Sequence, residues 1–149
     1  MANDSWKFSI TYFPADGGPP KGFEALSRFQ TATYRTPDLW FFDAEVVGRG
    51  VEPAALAIEA ALPILKVLPA GVYLSVNASP ATITAGDLPA LFARNPCKSI
   101  VLEITEHEVV ADYAQFVCEL GRLTQAGVEI AIDDVGTGYS GLSHLLKTK

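Results

Sequence analysis

The chain has 149 residues, 49% hydrophobic and 19% charged, with a formal net charge of −6 at pH 7. That length allows one domain with a core of its own, and a mean hydropathy of +0.22 is globular. The acidic balance argues against charge-driven binding to a DNA or RNA polymer or to an anionic membrane, and no apolar run reaches the about 20 residues of a membrane span.

The N-terminus carries no signal-peptide pattern. Cys97 and Cys118 lie far apart with no CxxC spacing, so both are expected to be reduced, structural thiols in a cytoplasmic chain.

In chain order, "KFSITYF" (Lys7–Phe13) reads as a first strand, rich in β-branched and aromatic residues and ended by "PADGGPP". "GFEALSRF" (Gly22–Phe29) follows as its hairpin partner. Thr36-Pro37 then opens a helix that Gly48 closes. A second helix starts near Pro53 and runs through "AALAIEAAL", with Pro63 expected to kink or end it. "GVYLSVNAS" (Gly71–Ser79) is the third strand, and Asp87 is placed to cap a short helix through Phe92. "SIVLEITE" (Ser99–Glu106) is the fourth strand. The clearest helix is Asp112 to Ala126, where Tyr113, Phe116, Val117, Leu120 and Leu123 recur at helical spacing before Gly127. "VEIAID" (Val128–Asp133) is the fifth strand. The last three strands read as apolar on both faces until their final residues, and their alternation with helices gives an α/β fold with a parallel sheet.

Chemistry in such sheets collects at the carboxyl ends of the strands. Oxygen donors stand at those positions: Glu24, Asn77, Glu103 and Asp133, the last followed directly by Asp134. Alternation puts Glu24, Leu26 and Arg28 on one face of their strand. Each donor has a plain reading by itself. A lone Glu in a strand usually faces solvent, and Asn77 before Ser79-Pro80 suits a turn. Asp133–Asp134 resists such a reading, because two adjacent carboxylates buried without a partner cost several kcal/mol or force one to take a proton. Carboxylates and an amide, with no Cys or His, suit a hard cation such as Mg²⁺ or Mn²⁺. His107 and His144 are read as ordinary polar residues, and Gly136-Thr137-Gly138 alone is a weak signal.

"GFEALSRF", "SVNAS", "LEITE" and "DDVGTGYSGLSHL" follow one another in the order of the EAL domain family motifs, and the resemblance runs from about Phe8 to the last residue. The family comprises bacterial phosphodiesterases that cleave the second messenger cyclic di-GMP. The resemblance implies a variant TIM barrel whose first strand is antiparallel to the others. It also implies that Glu24, Asn77, Glu103 and Asp133 hold one Mg²⁺ or Mn²⁺, and that Asp133 bridges to a second ion with Asp134 beside it. Leu26 and Arg28 would contact the dinucleotide, and Glu106 would steady the loop after Asp134. The implied activity is two-metal hydrolysis of cyclic di-GMP to the linear dinucleotide.

The family's catalytic lysine strand and second-metal glutamate have no counterpart in this sequence; Lys147 and Lys149 come too early. Val135 stands where phenylalanine is common, and Phe13-Pro14 replaces a usual Gln-Pro. A full (β/α)₈ barrel takes about 250 residues. The expectation is therefore a single incomplete EAL domain, a partial TIM-like barrel, with little turnover of its own. Its open sheet edge at Val128–Asp133 and uncovered apolar interior are expected to be met by self-association or by the missing half. The alternative is a non-catalytic EAL-like module that binds cyclic di-GMP or a protein partner.

Overall fold

A computed structural model describes residues 7–11, 20–29, 35–85, 87–95, 99–105 and 110–133, with the backbone alone at 7–11, 105 and 133. Five strands, β1 (Lys7–Thr11), β2 (Gly22–Arg28), β3 (Tyr73–Ala78), β4 (Ile100–Thr105) and β5 (Glu129–Asp133), form one sheet in chain order. β1 runs antiparallel to β2, and every later pairing is parallel. Among the described residues five helices accompany them: α1 (Pro37–Val46), α2 (Val51–Ala61), α3 (Pro80–Thr84), α4 (Leu88–Arg94) and α5 (Tyr113–Gln125).

The two faces of the sheet differ, which corrects the reading of β3–β5 as apolar on both. Leu74, Val76 and Ala78, with Ile100, Leu102 and Ile104, alternate onto one face and are buried. They join Ile58, Ile83, Phe92, Phe116 and Leu123 from the helices in a single core. The opposite face carries Glu24, Ser75, Asn77 and Glu103, so it is a polar floor rather than an uncovered apolar interior.

Local chemistry explains where elements start and stop. Gly71 adopts a left-handed φ of 83°, and the Val72 amide turns back to the Pro69 carbonyl, so β3 begins at Tyr73 rather than at Gly71. α2 starts two residues before Pro53, because a proline in the first turn forfeits no helical hydrogen bond. Pro63 then ends it, and Leu62–Lys66 tightens into a 3₁₀ turn. Ser79 is the N-cap of α3, a helix the sequence reading did not separate; its Oγ accepts from the Thr82 amide at 3.1 Å. Asp87 does not cap α4: it sits in the helical region, and Pro89 removes one of the amides that a cap would serve. Asp112 does cap α5, its Oδ1 accepting from Gln115 N at 3.0 Å, and Gly127 closes that helix at φ 89°.

α5 buries Phe116, Leu120 and Leu123 but leaves Tyr113 and Val117 exposed at 50% and 44%, so its core stripe is narrower than the periodicity implied. α1 buries no residue at all. Cys118 is a free thiol and exposed, not a structural core residue; Cys97 lies outside the described residues.

Gly22 pairs with Tyr73 across β2 and β3, and a Cβ at Gly22 would run into the Tyr73 ring. Gly22→Ala is therefore expected to cost about 1 kcal/mol of stability as an overpacking change. In a Tyr73→Ala background the same substitution should be neutral or stabilising. Denaturant melts of the four proteins of that cycle test it, and equal effects of Gly22→Ala in both backgrounds would rule out the close approach.

Candidate functional site

The register of the sheet decides which strand-end donors share a face. Glu24 is level with Ser75, Asn77 with Glu103, and Thr105 with Asp133. Register partners in a parallel sheet project to the same side, and alternate residues of one strand do too. Glu24, Asn77, Glu103 and the backbone position of Asp133 consequently belong to one face, with Asn77, Glu103 and Asp133 in the carboxyl halves of β3 to β5 and Glu24 three residues into β2.

Two of the donors touch. Asn77 Nδ2 donates to Glu24 Oε1 at 2.9 Å, which leaves the second Glu24 oxygen and the amide oxygen of Asn77 for another partner. Asn77 is exposed, and Glu24 and Glu103 are partly exposed, so the group is open to solvent. Among the described residues no three His, Cys, Asp or Glu side chains converge as a ready-made metal cluster. The described donors are two carboxylates and one amide, all oxygen ligands on a polar floor, and that set fits a hard divalent cation. Asp134 and Glu106 lie outside the described residues, as do His107, His144 and the glycine-rich stretch after Asp134.

Ser75 belongs to the same floor, level with Glu24 and 2% exposed, and the sequence reading passed over it. The signal was present in the alternation of Tyr73, Ser75 and Asn77.

Beside this group, a cleft of about 510 Å³ opens between the ends of β2 and β3 and helix α1. Leu26, Arg28 and Asn77 line it together with Val76 and Ala78 of the core face, and Asp38, Phe41 and Glu45 of α1 and Ala57 and Ile58 of α2 stand opposite. The expected dinucleotide contacts Leu26 and Arg28 thus share a cleft wall with the expected metal ligand Asn77. Arg28 is exposed; its Nη1 donates to the Ser27 carbonyl at 2.9 Å, and the guanidinium has no ion pair among the described residues. A cation in that position is available to an anionic ligand.

A cluster that the sequence reading missed joins the exit of β2 to α1. The Phe29 ring lies 5.9 Å from Trp40 and 5.6 Å, edge-on, from Phe41. The Arg35 guanidinium sits 5.0 Å above the Trp40 ring and pairs with Asp43 Oδ2 at 2.7 Å.

The EAL domain family model matches residues 7–149. The probable cyclic di-GMP phosphodiesterase PdeN of Escherichia coli K12 is 40% identical over 87 residues, covering 54% of this chain and 16% of that protein. A signalling protein of Caulobacter vibrioides is 34% identical over 146 residues, covering 88% of this chain and 17% of its own. Klebsiella pneumoniae BlrP1, solved as a manganese and cyclic di-GMP complex, superposes with a TM-score of 0.74 at 28% identity, over 100% of this chain and 40% of that one. The chain spans from 8% to 21% of the length of the curated relatives it matches.

Proposed function

The chain belongs to the EAL domain family, and from that premise we propose that its polar floor and adjoining cleft serve the hydrolysis of cyclic di-GMP to the linear dinucleotide. One observation carries the reading. From β2 to β5 the donors advance along their strands by two residues, then none, then two. In an eight-stranded barrel of shear 8, staying at one height requires an advance of about one residue per strand. The observed stagger therefore suits four donors arranged in a single ring at the mouth of a barrel. In a flat sheet with strands about 4.8 Å apart, Glu24 and Asp133 would stand at least roughly 14 Å from each other, too far to share an ion. Sharing one requires the sheet to curl around the donor face, as a TIM-like barrel of EAL type does.

In this reading Glu24, Asn77, Glu103 and Asp133 hold a Mg²⁺ or Mn²⁺, and Asp133 and Asp134 serve a second ion. Bound divalent cations supply Lewis-acid polarisation of the phosphate and neutralise the acid pair. The Asn77 amide keeps the Glu24 carboxylate turned toward the floor by donating to one of its oxygens. Arg28 neutralises a phosphate of the dinucleotide, and Leu26 gives it an apolar contact. Glu106 steadies the loop beyond Asp134.

A second reading is a module that binds cyclic di-GMP or a protein partner without turnover. β5 lies at the edge of the described sheet, and a second copy or the rest of the barrel would cover it. The exposed free thiol of Cys118 suits the reducing cytoplasm, and no described helix is long and apolar enough to cross a membrane.

Calorimetry with cyclic di-GMP, with Mn²⁺ present and after chelation, tests the reading. Metal-dependent binding that Arg28→Ala weakens is the expected result. Binding that ignores both the metal and Arg28 would contradict it.

A further inference from the structure

α1 forms the far wall of the cleft, yet none of its residues is buried. Leu39, Phe42 and Val46, at helical spacing along it, are 44%, 60% and 69% exposed. No α1 residue joins the main core, and Trp40, Phe41 and Ala44 are only half-buried, so the few contacts these side chains make weigh heavily in setting the distance of α1 from β2. The aromatic cluster is placed to do so. Phe29 is the residue that directly follows β2 and lies next to Arg28 in the chain. Its ring meets those of Trp40 and Phe41, two adjacent residues of α1. Trp40 is the centre of the group, because its other contact is the Arg35 guanidinium, itself tethered to Asp43 one turn further along α1. Arg35, Trp40 and Asp43 thus lock the start of the helix to its middle, and Phe29 locks that unit to the end of β2.

We propose that Trp40 is a positioning residue for the cleft: by holding Phe29 and Arg35 together it fixes α1 opposite Leu26 and Arg28, and so sets the geometry in which the ligand is gripped. The inference rests on the reading of the cleft as the cyclic di-GMP site. It adds to that reading a residue that does not itself line the cleft. The physical basis is that offset or edge-on ring pairs and a cation over an indole face are directional contacts, whereas aliphatic packing is not. Phenylalanine at position 40 keeps a ring for Phe29 and Arg35; leucine keeps the apolar bulk and loses both directional contacts.

The test uses the whole chain with Trp40→Leu, Trp40→Phe and Arg35→Gln. Three quantities are measured: affinity for cyclic di-GMP with Mn²⁺ present, affinity for Mn²⁺ alone, and amide hydrogen exchange across α1. Trp40→Leu is expected to weaken dinucleotide binding about tenfold, the equivalent of losing the directional ring contacts. It should also speed exchange in residues 37–46 while leaving Mn²⁺ affinity unchanged, since Glu24 and Asn77 stand on the sheet. Trp40→Phe should recover most of the lost affinity, and Arg35→Gln should fall between the two. A merely structural role predicts equal losses of Mn²⁺ and dinucleotide binding with melting of the whole chain, and that result overturns the proposal. So does unaltered dinucleotide affinity in Trp40→Leu, or a Trp40→Phe variant as impaired as Trp40→Leu. If the unsubstituted chain binds no cyclic di-GMP, the reading of the site falls; unaltered α1 exchange in Trp40→Leu instead overturns the clamp.

Discussion

Formation of the linear dinucleotide from cyclic di-GMP with Mn²⁺ is expected to fall at least about 100-fold on Asp133→Asn, in a chain extended through the second half of the barrel. The substitution keeps the shape of the side chain and removes its charge. Changing a group that only supports a metal ligand already costs about 10–100-fold. A direct ligand, and one proposed to be shared between two ions, should cost no less than the upper end of that range. The position of Asp133 on the donor face, level with Thr105 and two residues beyond the level of Glu103, motivates the choice. Steady-state rates of the extended protein and its variant decide the matter. A variant within a factor of a few of the parent would remove Asp133 from the catalytic group.

The largest expected effect on stability lies in α5. Phe116 is fully buried in the core cluster, and Phe116→Ala should destabilise the fold by about 3–5 kcal/mol through lost burial and the cavity left behind. Against a typical stability of about 5–15 kcal/mol, that is enough to leave a substantial unfolded fraction. Val117→Ala, one residue on and 44% exposed, should stay within about 0.5 kcal/mol, as surface changes do. Urea melts compare them directly. Similar losses at the two positions would mean that α5 presents a different face to the core from the one described.

That pair also marks what the sequence could reveal. Helical spacing showed that α5 exists, and Asp112 and Gly127 marked its ends, because capping chemistry is local. The same spacing could not show how wide the buried stripe is, since that depends on how closely α3, α4 and the sheet approach. Tyr113 and Val117 share the helical spacing of Phe116, Leu120 and Leu123 yet stand outside the core. The donors were legible for a similar reason: Glu24, Asn77, Glu103 and Asp133 stand out by residue type within or at the ends of strand-like runs. Their common face depends on pairing register, which no single strand encodes. The polar floor was easy to overlook, because Ser75 is small enough to pass as a core residue unless its alternation with Tyr73 and Asn77 is followed. The clamp of Phe29, Arg35, Trp40 and Asp43 joins a strand end to a helix across a loop, and neither periodicity nor a short motif reports such contacts.

Hydrolysis in the proposed manner requires that Glu24, Asn77, Glu103 and Asp133 form one divalent-cation site. A Mn²⁺ titration of this chain, followed by the paramagnetic signal of the free ion, measures it without reference to turnover. Glu24→Gln, Asn77→Leu, Glu103→Gln and Asp133→Asn are each expected to weaken binding by about tenfold or more, because each removes an oxygen donor or its charge from the same ion. Arg28→Ala, which stands in the cleft beside the donors, should leave Mn²⁺ affinity unchanged or slightly improved. Mn²⁺ affinity unchanged across all four donor variants, or lost only on substitution of residues elsewhere, would contradict the site.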